Sequence, residues 1–313
     1  MISRTQSKLK AIAFITVAVG FATSQDAIVK YLSGSFPAYE IMAFRGLMAI
    51  PFLSVWQARG VGFKAMKTPL LGLVMLRSLI LCSAYFSFIL AIAVMPLANA
   101  VAIYFTMPFF MAAMVGKGLG ENVPLYRWLA IAVGFIGVVI TLRPGISTFQ
   151  PASLLALYSA FGYAVGQMMS RHISQTVSPI VISNWQNLFY IAAAIVIGAV
   201  VYGTGYAGTD AMPSLTKTFQ WPGNSEIGIL VLLGIFSAIS ATAFISAYKN
   251  AEANFVAPFE YTAMIWAVLF GIFVFNDFPD TYTWIGAAVV IGAGLFMLAV
   301  DHSRSRNLAP VPN

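Results

Sequence analysis

Ten apolar stretches, each long enough to cross a lipid bilayer as a helix, run through the 313 residues of this chain. Charged residues or clusters of Gly, Pro, Asn and Asp bound each stretch. A helical span needs about 20 apolar residues, so ten spans use roughly 200 residues and leave the remainder for short loops. The stretches lie near 10–32, 37–56, 69–92, 96–116, 126–143, 151–170, 180–202, 227–248, 254–275 and 283–300.

The chain also carries too few charges to cover a water-facing surface of this size. Only 9% of the residues are charged, against about 25% in soluble domains, and the mean hydropathy is +0.85. A soluble enzyme, a nucleic-acid-binding domain and a disordered chain are excluded. An outer-membrane barrel is excluded too, because its strands alternate apolar and polar residues. We therefore predict an all-α integral membrane protein with ten transmembrane helices, whose partner is the lipid bilayer and not a nucleic acid.

Lys and Arg are distributed unevenly between the loops. If the N-terminus lies inside, twelve of these residues are cytoplasmic: Arg4, Lys8, Lys10, Arg59, Lys64, Lys67, Lys117, Arg127, Arg171, Lys249, Arg304 and Arg306. Three lie on the opposite side: Lys30, Arg143 and Lys217. Cytoplasmic loops of membrane proteins carry an excess of Lys and Arg, so we predict that both termini are cytoplasmic in a multi-pass protein of the cytoplasmic (inner) membrane.

The first stretch has one alternative interpretation, a cleaved signal peptide. Basic residues precede its apolar core, as they do in such peptides. The apolar stretch nevertheless continues past Asp26 to Leu32, and no small-residue cleavage site ends it. A retained helix is favoured.

The two halves of the chain resemble each other. At an offset of 156 residues the matching pairs are Thr106 with Thr262, Glu121 with Asp277, Tyr126 with Tyr282, and Trp128 with Trp284. At an offset of 142 they are Phe36-Pro37 with Ser178-Pro179, and Gln25 with Gln167. Each half, 10–143 and 151–300, holds five spans. Because five is odd, the second half would start on the opposite side of the membrane, which is the inverted repeat of many secondary transporters.

Several motifs resemble the EamA repeat of the drug/metabolite transporter superfamily. In the second half they are Ala253-Asn254-Phe255-Val256-Ala257-Pro258-Phe259-Glu260-Tyr261-Thr262, Trp284-Ile285-Gly286-Ala287 and Gly292-Ala293-Gly294. In the first half they are Arg45, Pro96-Leu97-Ala98-Asn99-Ala100, Pro108, Trp128 and Gly134-Phe135-Ile136-Gly137-Val138. The resemblance extends from about residue 10 to 300. Glu260 and Arg77 depart from it, since many members of the family lack a charge at these positions.

The resemblance implies ten helices in two inverted five-helix repeats around a central cavity, without an ATP-binding domain. It also implies a secondary transporter that works by alternating access. Among members of the superfamily, the chain is most similar in general appearance to bacterial importers of riboflavin and S-adenosylmethionine. The motifs serve helix packing and hinges, so they do not distinguish importers from exporters.

Two arginines lie inside predicted spans. Arg45 is in the second span and Arg77 in the third, each near the midplane. A charge at that depth costs about 2.5–3.5 kcal/mol on insertion scales, and it usually faces a cavity or pairs with an opposite charge. Each arginine is a candidate for holding an anionic or carbonyl-rich part of a substrate. The alternatives are a structural pair with Glu40, Asp26 or Glu260 and the capping of broken helix ends.

Two carboxylates are candidates for binding substrate or a coupling proton. Asp26 is spaced four residues from Lys30, so an interfacial pair between the two is the alternative role. Glu260 follows Pro258, which would kink its helix and free a backbone carbonyl. A charge partner for an arginine is the alternative there.

Amide and aromatic side chains inside the spans could bind a polar ring system. The candidates are Gln25, Gln167, Asn184, Asn187, Trp185 and Tyr163, with Gln186, Tyr104, Tyr190, Tyr261 and Trp266 as further wall residues. An amide can both donate and accept hydrogen bonds. Polar bonding between helices is the alternative for the amides, and ordinary packing for the aromatics.

The favoured function is therefore uptake of a small planar, polar, vitamin-like molecule such as riboflavin. The alternatives are export of amino acids or related metabolites and, from another class, an integral membrane enzyme. No catalytic motif, metal ligand set or cofactor site is predicted. The pair Gly162 and Gly166 in the sixth span favours close helix packing, and a homodimer through it stays open as an alternative.

Overall fold

The computed structural model describes residues 4–118, 125–142, 151–208, 213–251, 256, 259–260 and 262–307. Every regular element in these ranges is helical, and a single 3-10 helix (Phe63–Met66) lies between α2 and α3. The first half contains α1 (Arg4–Leu32), α2 (Ala38–Arg59), α3 (Leu71–Val94), α4 (Leu97–Tyr104), α5 (Met107–Gly118) and α6 (Leu125–Leu142). The second half contains α7 (Ala152–Ile173), α8 (Pro179–Gly203), α9 (Pro213–Thr216), α10 (Asn224–Asn250), α11 (Ala263–Phe275) and α12 (Thr281–Asn307). The prediction of an all-helical protein is confirmed for this part of the chain.

Five of these helices are long and apolar enough to cross a membrane: α1 from Leu9, α2, α3, α8 and α10. Shorter apolar helices occupy the fourth, fifth, ninth and tenth predicted spans. The sixth, α7, is 22 residues long but carries polar side chains such as Gln167 and Ser170. The chain is thus a membrane protein with several spans, and the full count of ten is a prediction.

The fourth and ninth predicted spans are not continuous helices. α4 ends at Tyr104, and α5 begins at Met107 after a turn at Phe105 and Thr106. In the ninth span Phe259 and Glu260 are helical, Thr262 is in a turn, and α11 begins at Ala263. The predicted motif residues Pro258 and Tyr261, and also Glu121 and Arg143, lie outside the described residues.

The principal helix pairs join the first half to the second. α1 packs along α10, α3 along α7, α6 along α12, and α2 along both α8 and α10. Glycines allow the closest approaches: a Cβ on Gly46 would lie 2.9 Å from the Asn187 carbonyl oxygen of α8. Gly162 and Gly166 of α7 are packed in the same way against Ala84 and Leu81 of α3. This glycine pair therefore serves packing between two helices of one chain.

The segment between α8 and α10 folds back across the turn that joins α1 to α2. The Lys217 ammonium donates hydrogen bonds to the carbonyl oxygens of Ser33 and Gly34, each at 2.7 Å. The Tyr39 hydroxyl donates to the Lys217 carbonyl oxygen at 3.2 Å. These contacts fix one end of the bundle, at the ends of α1 and α8.

Candidate functional site

A cavity lies between the two halves of the bundle. Its volume is about 140 Å³. Its charged side chains are Asp26, Arg45, Arg77 and Glu260. Its amide side chains are Gln25, Gln167 and Gln186. Its aromatic side chains are Tyr85, Phe88, Tyr104, Phe105, Tyr163, Tyr190 and Phe244.

Arg45 of α2 is held against two aromatic rings. Its guanidinium carbon lies 4.1 Å from the ring centre of Tyr85 and 4.8 Å from that of Tyr190. These rings are stacked, with centres 5.5 Å apart. The Arg45 Nε donates a hydrogen bond to Gln25 Oε1 at 3.2 Å, and the Gln25 Nε2 donates to the Tyr85 hydroxyl at 3.3 Å. Arg45 Nη1 is buried and has no hydrogen-bond partner, in a side chain that lines the cavity.

Arg77 of α3 is held by neutral groups. It is 1% exposed. Its Nε donates to Ser170 Oγ at 2.6 Å, and its Nη1 donates to Gln186 Oε1 at 2.7 Å. The Gln186 Nε2 in turn donates to the Tyr190 hydroxyl at 2.6 Å. A network of hydrogen bonds thus links Arg77 to a ring that Arg45 contacts.

Neither arginine forms a salt bridge with a described carboxylate. The salt bridge found in the described part of the chain joins Lys30 to Asp277. The structural alternative for Arg45 and Arg77, a close pair with Glu40, Asp26 or Glu260, is therefore not what the structure has. Arg45 does attract Asp26 electrostatically over a longer distance.

Lys30 also fails to pair with Asp26, contrary to the alternative predicted from their spacing. Its ammonium lies 3.3 Å from Asp277 Oδ2 and donates to the Met95 carbonyl oxygen at 2.9 Å. It also lies 5.2 Å from the centre of the Phe275 ring. Lys30 does not pair with Asp26 because the end of α1 that carries Lys30 faces the turns after α3 and α11. Asp26, one turn earlier, lines the cavity instead.

Glu260 lies at a different part of the cavity wall, among tyrosines. It is 6% exposed and accepts a short hydrogen bond from the Tyr248 hydroxyl of α10. Tyr104 and Tyr163 lie close enough to interact with it electrostatically. Their ring centres are 5.2 Å apart. The cavity is therefore polarised, with two guanidinium groups in one part and a carboxylate among phenols in another.

Seven of the sequence candidates line this cavity, and three do not. The seven are Gln25, Asp26, Arg45, Arg77, Tyr163, Gln167 and Glu260. Gln25 and Gln167, at matching positions of the two halves, are brought to the same cavity. The remaining three, Asn184, Trp185 and Asn187, point away from it.

Asn184, Trp185 and Asn187 bind other parts of the protein. The Asn184 Nδ2 donates to Gln57 Oε1 of α2 at 2.5 Å, and the Trp185 indole donates to the Met66 carbonyl oxygen at 3.2 Å. The Asn187 Nδ2 donates to the Ser183 carbonyl oxygen of its own helix at 2.9 Å. The residue of α8 that faces the cavity is Gln186, with Tyr190 one turn further along. The two are spaced i,i+4, so they share a helix face, and neither Asn184 nor Asn187 lines the cavity.

The sequence analysis did not name Tyr85, which lines the cavity, or Tyr248, which donates a hydrogen bond to Glu260, and it gave Tyr190 and Gln186 only as further wall residues. The spacing of Gln186 and Tyr190 was a usable signal for one helix face. Among the other aromatic candidates, Trp266 is 44% exposed and does not line the cavity, and Tyr261 lies outside the described residues.

A cavity with buried charges, enclosed by apolar helices, is typical of one class of protein, the membrane transporters. The EamA-like transporter family model matches residues 9–143 and 150–299. The chain belongs to this family. It is therefore a transporter in a membrane, and the alternative of a membrane enzyme is set aside.

Named relatives are similar along most of the chain. The S-adenosylmethionine uptake transporter of Rickettsia conorii is 26% identical over 294 residues, which cover 93% of this chain and 92% of that protein. The riboflavin transporter of Rhizobium johnstonii is 25% identical and covers 95% of this chain and 87% of its own length. The riboflavin transporter of Vibrio cholerae is 29% identical over 212 residues, 67% of this chain and 65% of that protein.

A protein of known crystal structure has the same fold. The superposition has a TM-score of 0.62 at 18% sequence identity and covers 98% of this chain and 99% of the other. The similarity extends over both halves and shows the fold alone.

Proposed function

We propose that this protein is a secondary transporter with ten transmembrane helices in two inverted repeats, 10–143 and 151–300, that works by alternating access. The helix pairs support the repeat. The contact of α1 with α10 has its counterpart in that of α7 with α3, and the contact of α2 with α10 in that of α8 with α3. Equivalent helices of the two halves also pack against each other, α2 with α8 and α6 with α12, as a two-fold relation between the halves would require. Two similar halves of opposite orientation can exchange conformations and so expose one central site to either side.

The protein would lie in the cytoplasmic membrane with both termini inside. The distribution of Lys and Arg between alternate loops supports this orientation. In this orientation, the segment that Lys217 holds would lie on the outer face of the membrane.

The favoured substrate is riboflavin or a similar planar, polar metabolite, taken up into the cell. One observation carries this proposal: an unpartnered donor and acceptor face a cavity walled by tyrosines. Arg45 Nη1 and Gln167 Oε1 are buried without a hydrogen-bond partner, and both residues line the cavity beside Tyr85 and Tyr190. An uncharged ring with imide or amide edges offers the matching acceptor and donor, and the rings would cover its faces.

A second candidate is S-adenosylmethionine, which also contains a flat heteroaromatic ring but carries a positive charge. Asp26 favours it, because this carboxylate faces the cavity without a salt bridge to any described residue. Uptake of this compound by relatives of similar identity supports the candidate further. Amino-acid export is the third alternative.

Transport by the purified protein in proteoliposomes tests the proposal. We expect uptake of labelled riboflavin that excess unlabelled riboflavin abolishes, and we expect Tyr85→Leu to reduce it at least tenfold. Trp266→Leu is the matched control, since it also removes an aromatic ring but lies outside the cavity, and it should transport normally. Complementation of a riboflavin auxotroph that lacks its own carrier is the cellular counterpart.

The same proteoliposome assay distinguishes among the three candidate functions. Uptake of labelled S-adenosylmethionine without uptake of riboflavin would replace the first candidate by the second. Efflux of preloaded amino acids, with neither compound taken up, would contradict both and favour the exporter.

A further inference from the structure

We propose that Glu260 is the proton-binding site that couples uptake to the proton gradient. One proton would bind to the Glu260 carboxylate from the outer side, travel with the substrate, and leave to the cytoplasmic side. This inference rests on the proposed transport function and adds its energy source.

The position of Glu260 meets the first requirement, access to both sides. The side chain lines the cavity and lies just before the turn at Thr262 that separates it from α11. In a transporter with inverted repeats, the central cavity is exposed first to one side of the membrane and then to the other. A carboxylate that lines this cavity can therefore follow the change from one access state to the other.

The surroundings of Glu260 meet the second requirement, a carboxylate without a permanent counter-charge. Its hydrogen-bond donor is the Tyr248 hydroxyl of α10, and no described Lys or Arg forms a salt bridge with it. The groups that approach it from other helices are the phenols of Tyr104 on α4 and Tyr163 on α7. In such surroundings the charged carboxylate is costly, so a proton readily takes the place of a counter-charge.

Tyr248 meets the third requirement, a partner that fits both forms of the carboxyl group. A phenol donates its own proton to an ionised carboxylate. After protonation of Glu260, the carboxyl O–H can donate to the same phenolic oxygen. The hydrogen bond thus persists through a cycle in which one O–H bond forms on Glu260 and later breaks.

The other charged groups of the cavity are less suited to this role. Burial disfavours the charge of Asp26 on α1 as well, but the Arg45 guanidinium and Gln25 offset part of that cost. Arg77 on α3 is held by Ser170 and Gln186, and an arginine does not release its proton at ordinary pH. Among the described carboxylates that line the cavity, Glu260 is therefore the one that is bound by a phenol and is not attracted by a guanidinium.

The test uses the full-length protein in proteoliposomes, with labelled riboflavin as the probe, or labelled S-adenosylmethionine if that is the transported compound. For the wild type, we expect an inward proton gradient to raise the internal substrate concentration several-fold above the external one. We also expect substrate to drive proton entry, followed with a pH-sensitive dye inside the vesicles. Glu260→Gln should show neither effect, and Glu260→Asp should keep both.

Two results would overturn the inference: wild-type uptake that ignores the gradient, or Glu260→Gln vesicles that still accumulate substrate. If Glu260→Gln fails to fold, Tyr248→Phe decides, because loss of the phenol should shift the pH dependence of uptake, and an unchanged profile contradicts the role. Failure of the proposed function is a separate result, namely that the wild type exchanges neither compound in the absence of a gradient.

Discussion

Thr106 and Thr262 make the same hydrogen bonds at matching positions of the two halves. The Thr106 hydroxyl donates to the Ile103 carbonyl oxygen at 2.9 Å, and the Thr262 hydroxyl donates to the Phe259 carbonyl oxygen at 2.7 Å. The backbone amide of each threonine donates to the same oxygen, at 3.0 Å and 3.2 Å. Each threonine therefore tightens one turn at the point where its helix is interrupted.

Replacing either threonine by valine should impair transport. Valine keeps the shape but loses the hydroxyl, and a typical hydrogen bond contributes about 0.5–1.5 kcal/mol. We expect a several-fold lower uptake rate, with the larger effect at Thr106, which is fully buried. Serine at the same positions retains the hydroxyl and should preserve most of the rate. Equal rates for the valine and serine variants would show that these bonds do not matter for transport.

Removal of either buried guanidinium should abolish uptake. Arg77→Ala would leave Gln186 Oε1 without its donor, at a cost of about 1–3 kcal/mol for a buried group left unsatisfied, while Ser170 Oγ would keep its bond to the Gly166 carbonyl oxygen. Arg45→Ala would remove the cation from the Tyr85 and Tyr190 rings. We expect at least a tenfold loss of uptake per protein molecule, measured beside immunoblots of the membranes. Arg59→Ala is the control, because Arg59 lies on α2 like Arg45 but is exposed. Normal uptake by both cavity variants would show that Arg45 and Arg77 have a structural role only.

The salt bridge between Lys30 and Asp277 should affect the balance between access states. The pair is partly exposed, with side chains 15% and 35% accessible, so its contribution is about 0–1 kcal/mol. Lys30→Met should change the apparent KM for external substrate by no more than about fivefold, with a smaller effect at high salt. The exchanged pair, Lys30→Asp with Asp277→Lys, should recover part of the change. An effect that persists in the exchanged pair would argue against the salt bridge and for the bond from Lys30 to Met95.

A methyl group at Gly286 should destabilise the pair of α6 and α12. Its Cβ would lie 2.0 Å from Thr141 Oγ1 and 2.6 Å from the Gly137 carbonyl oxygen. Such overpacking costs about 1–3 kcal/mol, so Gly286→Ala should lower the melting temperature in detergent. Gly292→Ala, on the same helix, meets nothing within 4 Å and should melt like the wild type. Identical melting of the two variants would mean that the helices can separate freely.

Both termini should be found in the cytoplasm. Fusions of a fluorescent protein at either end should fluoresce, while alkaline phosphatase inserted near Trp221, which is highly exposed, should be active in the periplasm. A C-terminal phosphatase fusion with high activity would contradict ten spans, because an even number of crossings returns the chain to its starting side.

Much of the architecture is predictable from residue type alone. Length and apolarity place α1, α2, α3, α8 and α10 within a few residues, because a span must satisfy its own backbone and exclude charge. The cost of burying charge also explains why Arg45, Arg77 and Glu260 were correctly expected at a cavity.

The interruptions at Thr106 and Thr262 were not predicted. Threonine hydroxyls frequently bond backbone carbonyls inside intact helices, so the residue type does not distinguish a break from a continuous helix.

The face of α8 that lines the cavity was not predicted either, for a related reason. α8 carries polar side chains on two faces, and Asn184 bonds Gln57 of α2 while Gln186 faces the cavity. Periodicity shows that both faces are polar, but it does not show which one a neighbouring helix covers.

The pairing of helices between the two halves has a consequence for synthesis. α1 packs mainly along α10, which follows it by roughly 200 residues. At about 5–20 residues per second, a ribosome needs roughly 10–40 s to supply that partner. During this interval the face of α1 that packs along α10 lacks that partner in the nascent chain. The spans of the first half must therefore wait in the bilayer until those of the second half arrive.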